Sequence, residues 1–400
     1  MFQCRFCGSE LTHIFCDLGH QPPSNSLLTK EQLDEPEVYY PLKVFWCEKC
    51  WLVQIPEIKK ASEIFNEEYP YFSSQSPSNV SHAKEFCEIM MERFNPKTVL
   101  EIGSNDGYML QFFKKKGCGV IGYDPARGPA EEARKKGIDT VADFFDMVDT
   151  MYLIGSVDLI CGINVIAHQP DINDFVGAIK RALAPEGVAV FEFPHLMKLV
   201  EGCQYDTIYH EHYNYFSFNV IYKIFDAHGL TVFDVEEIPE HGGSLRIYAG
   251  HKKNELEMTD RAMWIGLAEG KVQKDVGFYQ NFQKKVDKLK DEIKAVLFNC
   301  RGYGMICAYG AAAKGATLLN SCRIGTDIIQ FVVDRSPHKR GKFMPGSHIP
   351  IVGEECIKQY RPAYVLVLPW NLKDEIMDQL SYIREWDGKF IIPIPEVQVL

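Results

Sequence analysis

Apolar positions recur with helical spacing from Ser78 to Phe94, and a short buried-type run, Thr98-Val99-Leu100-Glu101-Ile102, follows. A glycine-bearing turn, Gly103-Ser104-Asn105-Asp106-Gly107, then leads into a second helical stretch, Met109 to Lys116. Further apolar runs predict strands at Gly119–Tyr123, at Val157–Val165 and at Val188–Glu192, the last entered through Leu183-Ala184-Pro185-Glu186-Gly187. A helix is expected from Asn219 to His228. Between Gly270 and Asn299, Phe278, Phe282, Val286, Leu289, Ile293 and Val296 form one apolar stripe, the mark of a long amphipathic helix. A second strand–turn–helix unit begins at Met305, with strands expected at Ile328–Asp334, Tyr364–Leu368 and Phe390–Ile394. Helices alternating with such runs predict an α/β protein.

Four hundred residues exceed one ordinary core, so two or three domains are expected. A net charge of −11 argues against a general nucleic-acid or anionic-membrane surface, though it leaves room for a local basic pocket. The N-terminus lacks a signal peptide's charged-then-apolar layout, and the apolar runs are far shorter than a membrane span. Most of the thirteen cysteines stand singly in apolar segments, which suits free buried thiols in a reducing compartment. A cytoplasmic, soluble protein is expected, without nucleic-acid or membrane partners.

Cysteine spacing adds a metal. Cys4-Arg5-Phe6-Cys7-Gly8 and Cys47-Glu48-Lys49-Cys50 are two CxxC pairs, each able to supply half of a tetrahedral thiolate site for structural zinc. Cys16, His13 and His20 in the intervening loop are competing ligands that lack a CxxC partner. Pro22, Pro23, Ser24 and Asn25 predict irregular backbone there, and Glu68 to Ser76 reads as an aromatic, hydroxyl-rich linker or lid.

The first glycine turn resembles the E-x-G-x-x-x-G motif of class I S-adenosylmethionine methyltransferases, with Glu101, Gly103, Asn105 and Gly107 in place. Asp124, at the end of the next strand, suits two ribose hydroxyls, and Asp143 and Phe144 fall where such enzymes hold adenine. Asn164 and His168 lie just beyond a strand's C-terminal end, the edge where ligands of open α/β sheets collect. In the back half, His241-Gly242-Gly243-Ser244-Leu245-Arg246 pairs glycines for close backbone approach with Arg246 for an anion. The second, Rossmann-like unit carries Tyr309, Gly310, Lys314, Gly315 and Asp334. It lacks G-x-G-x-x-G, so a phosphate or nucleotide handle at Lys314 is as plausible as NAD. Finally, Tyr209-His210-Glu211-His212-Tyr213-Asn214-Tyr215-Phe216 clusters two histidines, a carboxylate and tyrosines on an expected strand or turn, where a side chain that titrates near neutral pH is available.

Taken in order, these motifs resemble the zinc-containing sugar C-methyltransferases. Members methylate C3 of nucleotide-linked 4-keto-6-deoxysugars, as in tetronitrose and other antibiotic-sugar pathways. The likeness runs through both CxxC pairs, Tyr69 to Ser74, Glu101 to Gly107, Asn164 to His168, Tyr209 to His212, His241 to Arg246, Tyr309 to Gly315, Asp334 to Gly341 and Pro345 to Pro350. It implies a zinc module (1–67), a methyltransferase core of class I Rossmann-like fold (68–270) and a Rossmann-like domain without a dinucleotide (271–400). The nucleotide sugar is expected between the last two.

By resemblance His212 is the general base, with Tyr71, His168, Tyr209 and Glu211 lining the site, and Ser244, Arg246, Tyr309, Lys314 and Asp334 are candidates for substrate binding. A C4 ketone acidifies the C3 proton. His212 would remove it, Tyr209 or His168 would donate to the developing C4 oxyanion, and the enolate carbon would take the methyl group. The expected assembly is a monomer with S-adenosylmethionine and zinc. Rival readings are O- or N-methylation of a nucleotide sugar, an NAD-dependent sugar enzyme, and a non-catalytic docking protein.

Overall fold

A computed structural model describes residues 2–65 and 71–400. Glu68, Tyr69 and Pro70 of the expected aromatic connector lie outside the described residues. The chain forms two compact units: Met1–His13, Trp46–Leu196 and Tyr213–Asp275 make one, and Ile14–Phe45, Met197–His212 and Val276–Leu400 the other.

The first unit is built on seven strands: β1 (Thr98–Ile102), β2 (Gly119–Tyr123), β3 (Thr140–Val141), β4 (Val157–Ile163), β5 (Leu183–Pro194), β6 (Leu230–Ile238) and β7 (Ser244–His251). Their order is β3-β2-β1-β4-β5-β7-β6. The first five run parallel, while β7 is antiparallel to both β5 and β6. Val99, Leu100, Leu159, Ile160, Val190 and Phe191 are buried, as a parallel sheet covered on both faces requires.

The flanking helices follow their caps. Helix α1 (Pro77–Phe94) starts where the Ser76 hydroxyl accepts from Asn79 N and Pro77 occupies the first turn, and it ends at Asn95 with φ 43°. Helices α2 (Leu110–Lys115), α3 (Arg127–Lys135), α4 (Ile172–Ala182) and α5 (Phe218–Ala227) follow. Asp171 caps α4 and Ser217 caps α5. The core of this unit gathers Phe86, Met90, Met109, Phe113, Leu159 and Tyr248. A two-residue ladder, Val53–Gln54 against Asn214–Tyr215, lies apart from the main sheet.

The stripe expected to form one helix between 270 and 299 is broken. Helix α6 (Asp260–Gln273) closes the first unit, a single turn spans Val276–Gln280, and α7 (Phe282–Arg301) begins the long helix of the second unit. The interruptions fall at Asp275 and Asn281, weak helix formers. Phe282, Val286, Leu289 and Ile293 are buried along α7 as expected.

The second unit's sheet has strands β8 (Ile306–Tyr309), β9 (Val332–Val333), β10 (Ile351–Val352), β11 (Tyr364–Val367), β12 (Lys389–Ile392) and β13 (Gln398–Val399). Their order is β10-β9-β8-β11-β12-β13, parallel except for β13. Helix α8 (Ala313–Ser321) follows β8. The strand expected from Ile328 is short because Ile328 N and Ile329 N both turn back onto Gly325 O. Among the described residues no helix is long and apolar enough to cross a membrane.

Candidate active site

Cys4, Cys7, Cys47 and Cys50 bring their sulfurs within 4.8 Å of one another. Cys4 and Cys50 are 3.5 Å apart, and Cys7 and Cys47 3.6 Å. Zn–S bonds of about 2.3 Å in a tetrahedron set the sulfurs about 3.8 Å apart, so the cluster has the size for one ion. Each CxxC knuckle turns at the residue after its second cysteine: Gly8 and Trp51 both have φ 71°. Gln54 Nε2 donates to Cys4 Sγ at 3.1 Å, a bond that also orients the thiolate. Of the competing donors, His13 pairs with Glu48 at 3.0 Å and stacks on Trp46, Cys16 is buried with its thiol pushed up by desolvation, and His20 is exposed.

The glycine turn after β1 is held from two sides in the first unit. Gly103 N and Ser104 N donate to Tyr123 O at 2.8 and 3.0 Å, and Asn105 N donates to Asp124 Oδ2 at 2.9 Å. Asn105 Oδ1 accepts from Ser73 N at 2.7 Å while its Nδ2 donates to Tyr71 O at 3.1 Å. Ser74 donates to Asp106, which also meets Lys136 Nζ at 3.0 Å. Two glycines are required by space. An added Cβ at Gly107 would meet Ile138 Cδ1 at 2.5 Å, and one at Gly103 would meet Val165 Cγ2 at 3.1 Å, both at φ above 70°.

Two carboxylates in this cradle are buried without a cation. Neither oxygen of Glu101 has a well-formed hydrogen bond, and burial, then Asp124 and Asp106, hold its carboxyl well above the usual range, against the backbone amide of Leu110. Asp124 is pushed up to about 6 by burial, against the backbone amides of Ala126 and Asn105. Since each amide takes one Asp124 oxygen, each oxygen keeps a free lone pair.

Along the C-terminal edge of the same sheet stand Asn164 and His168. Asn164 N donates to Glu192 O at 2.8 Å, and its Nδ2 lies 2.6 Å from His241 Nε2. His168 meets the Phe65 ring edge-on at 5.5 Å, and Phe65 in turn meets Phe144 at 6.5 Å. Asp143 is exposed and accepts from Phe144 N at 2.8 Å. Tyr71, also exposed, accepts from Asn79 Nδ2 at 2.9 Å. Ser244 and Arg246 have partners inside the unit: Ser244 Oγ donates to Glu240 O, and Arg246 binds Glu192 at 2.7 Å and Glu236 at 3.0 Å.

In the second unit, Tyr209 to His212 form a turn closed by His212 N on Tyr209 O at 2.9 Å, while the only strand of the stretch is Asn214–Tyr215. Of the two backbones the sequence allows here, strand or turn, the structure adopts the turn. His210, Glu211 and His212 are all buried. His212 Nδ1–H donates to Thr207 O at 2.8 Å, and its ring lies 4.0 Å from that of Tyr209. Asn25 Nδ2 reaches both Glu211 oxygens, at 2.8 and 3.0 Å.

Beneath this turn Asp206 is fully buried and accepts from Trp370 Nε1 at 2.7 Å. Burial pushes its carboxyl up to about 6, against Lys314 and Trp370. Lys314 Nζ donates to Asn371 Oδ1 at 2.7 Å and sits 4.9 Å over the Trp370 ring, and desolvation lowers its ammonium. Tyr309 OH accepts from Gln379. Asp334 accepts from Ala311 N and Ser336 N and lies 3.5 Å from Lys339, so its charge is already balanced, unlike that of Asp124.

Three family profiles match the chain: a zinc binding domain at 4–65, a methyltransferase domain at 80–235 and a C-methyltransferase C-terminal domain at 239–395. The C-methyltransferase NovU of Streptomyces niveus is 32% identical over 409 residues, which span 100% of this chain and 96% of that protein. This chain belongs to the C-methyltransferase family. Solved structures include an S-adenosylmethionine dependent methyltransferase from Mesorhizobium loti, 15% identical over 42% of this chain and 99% of that one, with TM-score 0.37. Another is 1,6-didemethyltoxoflavin-N1-methyltransferase from Burkholderia thailandensis, 20% identical over 43% and 77% respectively, with TM-score 0.35.

The C-methyltransferase uses S-adenosylmethionine, and its Cys4, Cys7, Cys47 and Cys50 supply a closed site for structural zinc. The cradle suits that donor: it offers a buried carboxyl at Glu101 whose ionisation a neighbouring cationic group would favour, and free lone pairs on Asp124 for hydroxyls. Sequence reasoning assigned no role to His241, Asp206 or Trp370. His241 stands in a quoted motif, whereas nothing in the chain near Asp206 or Trp370 marks them as partners of Lys314.

Proposed function

We propose that this C-methyltransferase methylates C3 of a nucleotide-linked 4-keto-6-deoxysugar through an enolate, with His212 as general base. The observation that carries the reading is the His212 Nδ1–H bond to Thr207 O, which fixes the neutral tautomer in which Nε2 is the basic nitrogen. S-adenosylmethionine supplies an electrophilic methyl group. The chain's residues do the rest. The C4 ketone acidifies the C3 proton, His212 Nε2 removes it, and Tyr209 or His168 donates to the C4 oxygen as charge develops there. Asn25 fixes the Glu211 carboxylate for a sugar hydroxyl, and Tyr71 completes the lining.

Glu101, Gly103, Asn105, Gly107, Asp124, Asp143, Phe144 and Asn164 hold the cofactor in this reading, and Lys314, Tyr309 and Asp334 in the C-terminal domain take the nucleotide sugar. A single cytoplasmic chain completes it, and a dimer by light scattering would revise that part.

The test is His212→Gln. Turnover is expected to fall by about 10²- to 10⁴-fold, with S-adenosylhomocysteine binding unchanged and exchange of the C3 proton into deuterated solvent abolished. Near-normal turnover would remove His212 as the base. Exchange surviving without turnover would move its role to the methyl-transfer step.

A further inference from the structure

Asn164 and His241 are both non-glycine residues held in the left-handed region, at φ 55° and 57°, and their side chains meet there at 2.6 Å. Such backbone persists where the surroundings over-determine it, and it concentrates at functional sites. The surroundings do so here. The turn that carries His241 is pinned by His82, which bridges Glu240 at 3.1 Å and Glu192 at 2.6 Å. It is pinned further by Ser244 Oγ and Gly243 N on Glu240 O, and by His195 N on Gly243 O. None of these bonds uses the His241 side chain, which meets Asn164.

The polarity of that contact carries the inference. With Asn164 Nδ2 donating, His241 Nε2 is the acceptor and its proton sits on Nδ1, a tautomer that holds the carboxamide in this orientation and leaves Oδ1 as an acceptor. Among the described residues Asn164 Oδ1 is shut off from solvent with no donor, an arrangement that costs stability unless a ligand supplies one. The next residue, Val165, packs against Gly103 of the cofactor turn, which puts Asn164 beside that turn.

We propose that His241 is a positioning residue of the cofactor site. It fixes the Asn164 carboxamide so that Oδ1 accepts from a donor of S-adenosylmethionine, its cationic ammonium being the group of matching charge. The inference rests on the reading that Asn164 meets the cofactor.

Isothermal titration of the full chain with S-adenosylhomocysteine tests it, with melting temperatures measured alongside. His241→Gly relieves the left-handed backbone, so its melting temperature should hold or rise, while affinity falls roughly 3- to 10-fold, the worth of one hydrogen bond. His241→Gln, which can still accept, should recover most of that loss, and His241→Leu should not. If Asn164→Ala weakens binding but His241→Gly and His241→Leu bind like the wild type, the positioning role is overturned. If Asn164→Ala also binds normally, the underlying reading of Asn164 fails, and the inference falls with it. Should His241→Gly prove unstable, the Gln and Leu variants decide, and equal affinities in those two overturn the proposal.

Discussion

Asp124 gives the sharpest handle on cofactor binding. Its carboxylate is 6% exposed and accepts from Asn105 N and Ala126 N at 2.9 Å each, with one lone pair left on each oxygen. If the cofactor's ribose hydroxyls take those lone pairs, each bond to the charged acceptor is worth about 1.5–3 kcal/mol. Asp124→Asn removes the charge and one acceptor, so S-adenosylhomocysteine should bind about 2 kcal/mol more weakly, roughly 30-fold. The pH dependence provides a second axis. Burial raises the folded carboxyl to about 6, above its ordinary 3.8, so folding of the free protein favours proton uptake. That contribution to stability is fully present below pH 3.8 and is lost as pH rises through about 6. Binding to the charged form runs the other way. Affinity in the wild type should fall as pH drops from about 7.5 to about 5.5, and Asp124→Asn should be flat over that window. Calorimetric titration of both proteins across it is the assay. Wild-type affinity independent of pH, or an unchanged constant in the variant, would refute the ribose role.

Three further outcomes are expected. Cys47→Ala should lose the single zinc, read by metal analysis, and melt at lower temperature, since structural zinc contributes folding free energy directly. A variant that keeps one zinc per chain would contradict the Cys₄ site. Gly107→Ala sets a Cβ 2.5 Å from Ile138 Cδ1 at φ +74°, and the strain and overpacking should destabilise the first unit by about 2–4 kcal/mol in urea unfolding. His82 would be lowered by burial alone, but hydrogen bonds and charge from Glu192 and Glu240 raise it to about 9 from 6.5. Its contribution to stability is therefore complete below pH 6.5 and should fade as pH climbs through about 9, a slope that His82→Gln should abolish.

Much of this was legible in the sequence, because the strongest signals are local. Apolar runs point to β1, β2, β4 and β5 of the first sheet and β8, β9, β11 and β12 of the second, whereas β3, β6, β7, β10 and β13 carry no such signal; α1 and α5 lie within a residue of the stretches read from periodicity. CxxC spacing was enough to separate the four zinc thiols from Cys16, His13 and His20, because paired ligands on a tight turn share one direction. What escaped depends on distant partners. The helix break at Asp275 and Asn281 is a weak local signal that an uninterrupted apolar stripe hides. Arg246 reads as an anion ligand in sequence, yet Glu192 and Glu236 neutralise it inside the sheet. At Tyr209–His212 the sequence allows strand or turn, because alternation on four residues does not distinguish the two, and the structure adopts the turn.

The central claim is that carbon, at C3 of a 4-keto sugar, receives the methyl group. Incubating the full-length protein with methyl-labelled S-adenosylmethionine and a panel of nucleotide-linked 4-keto-6-deoxysugars, then reading carbon–proton correlations of the product by NMR, addresses it directly. The label should appear bonded to C3 of at least one sugar. A methyl group found on oxygen or nitrogen, or on another carbon, would contradict it.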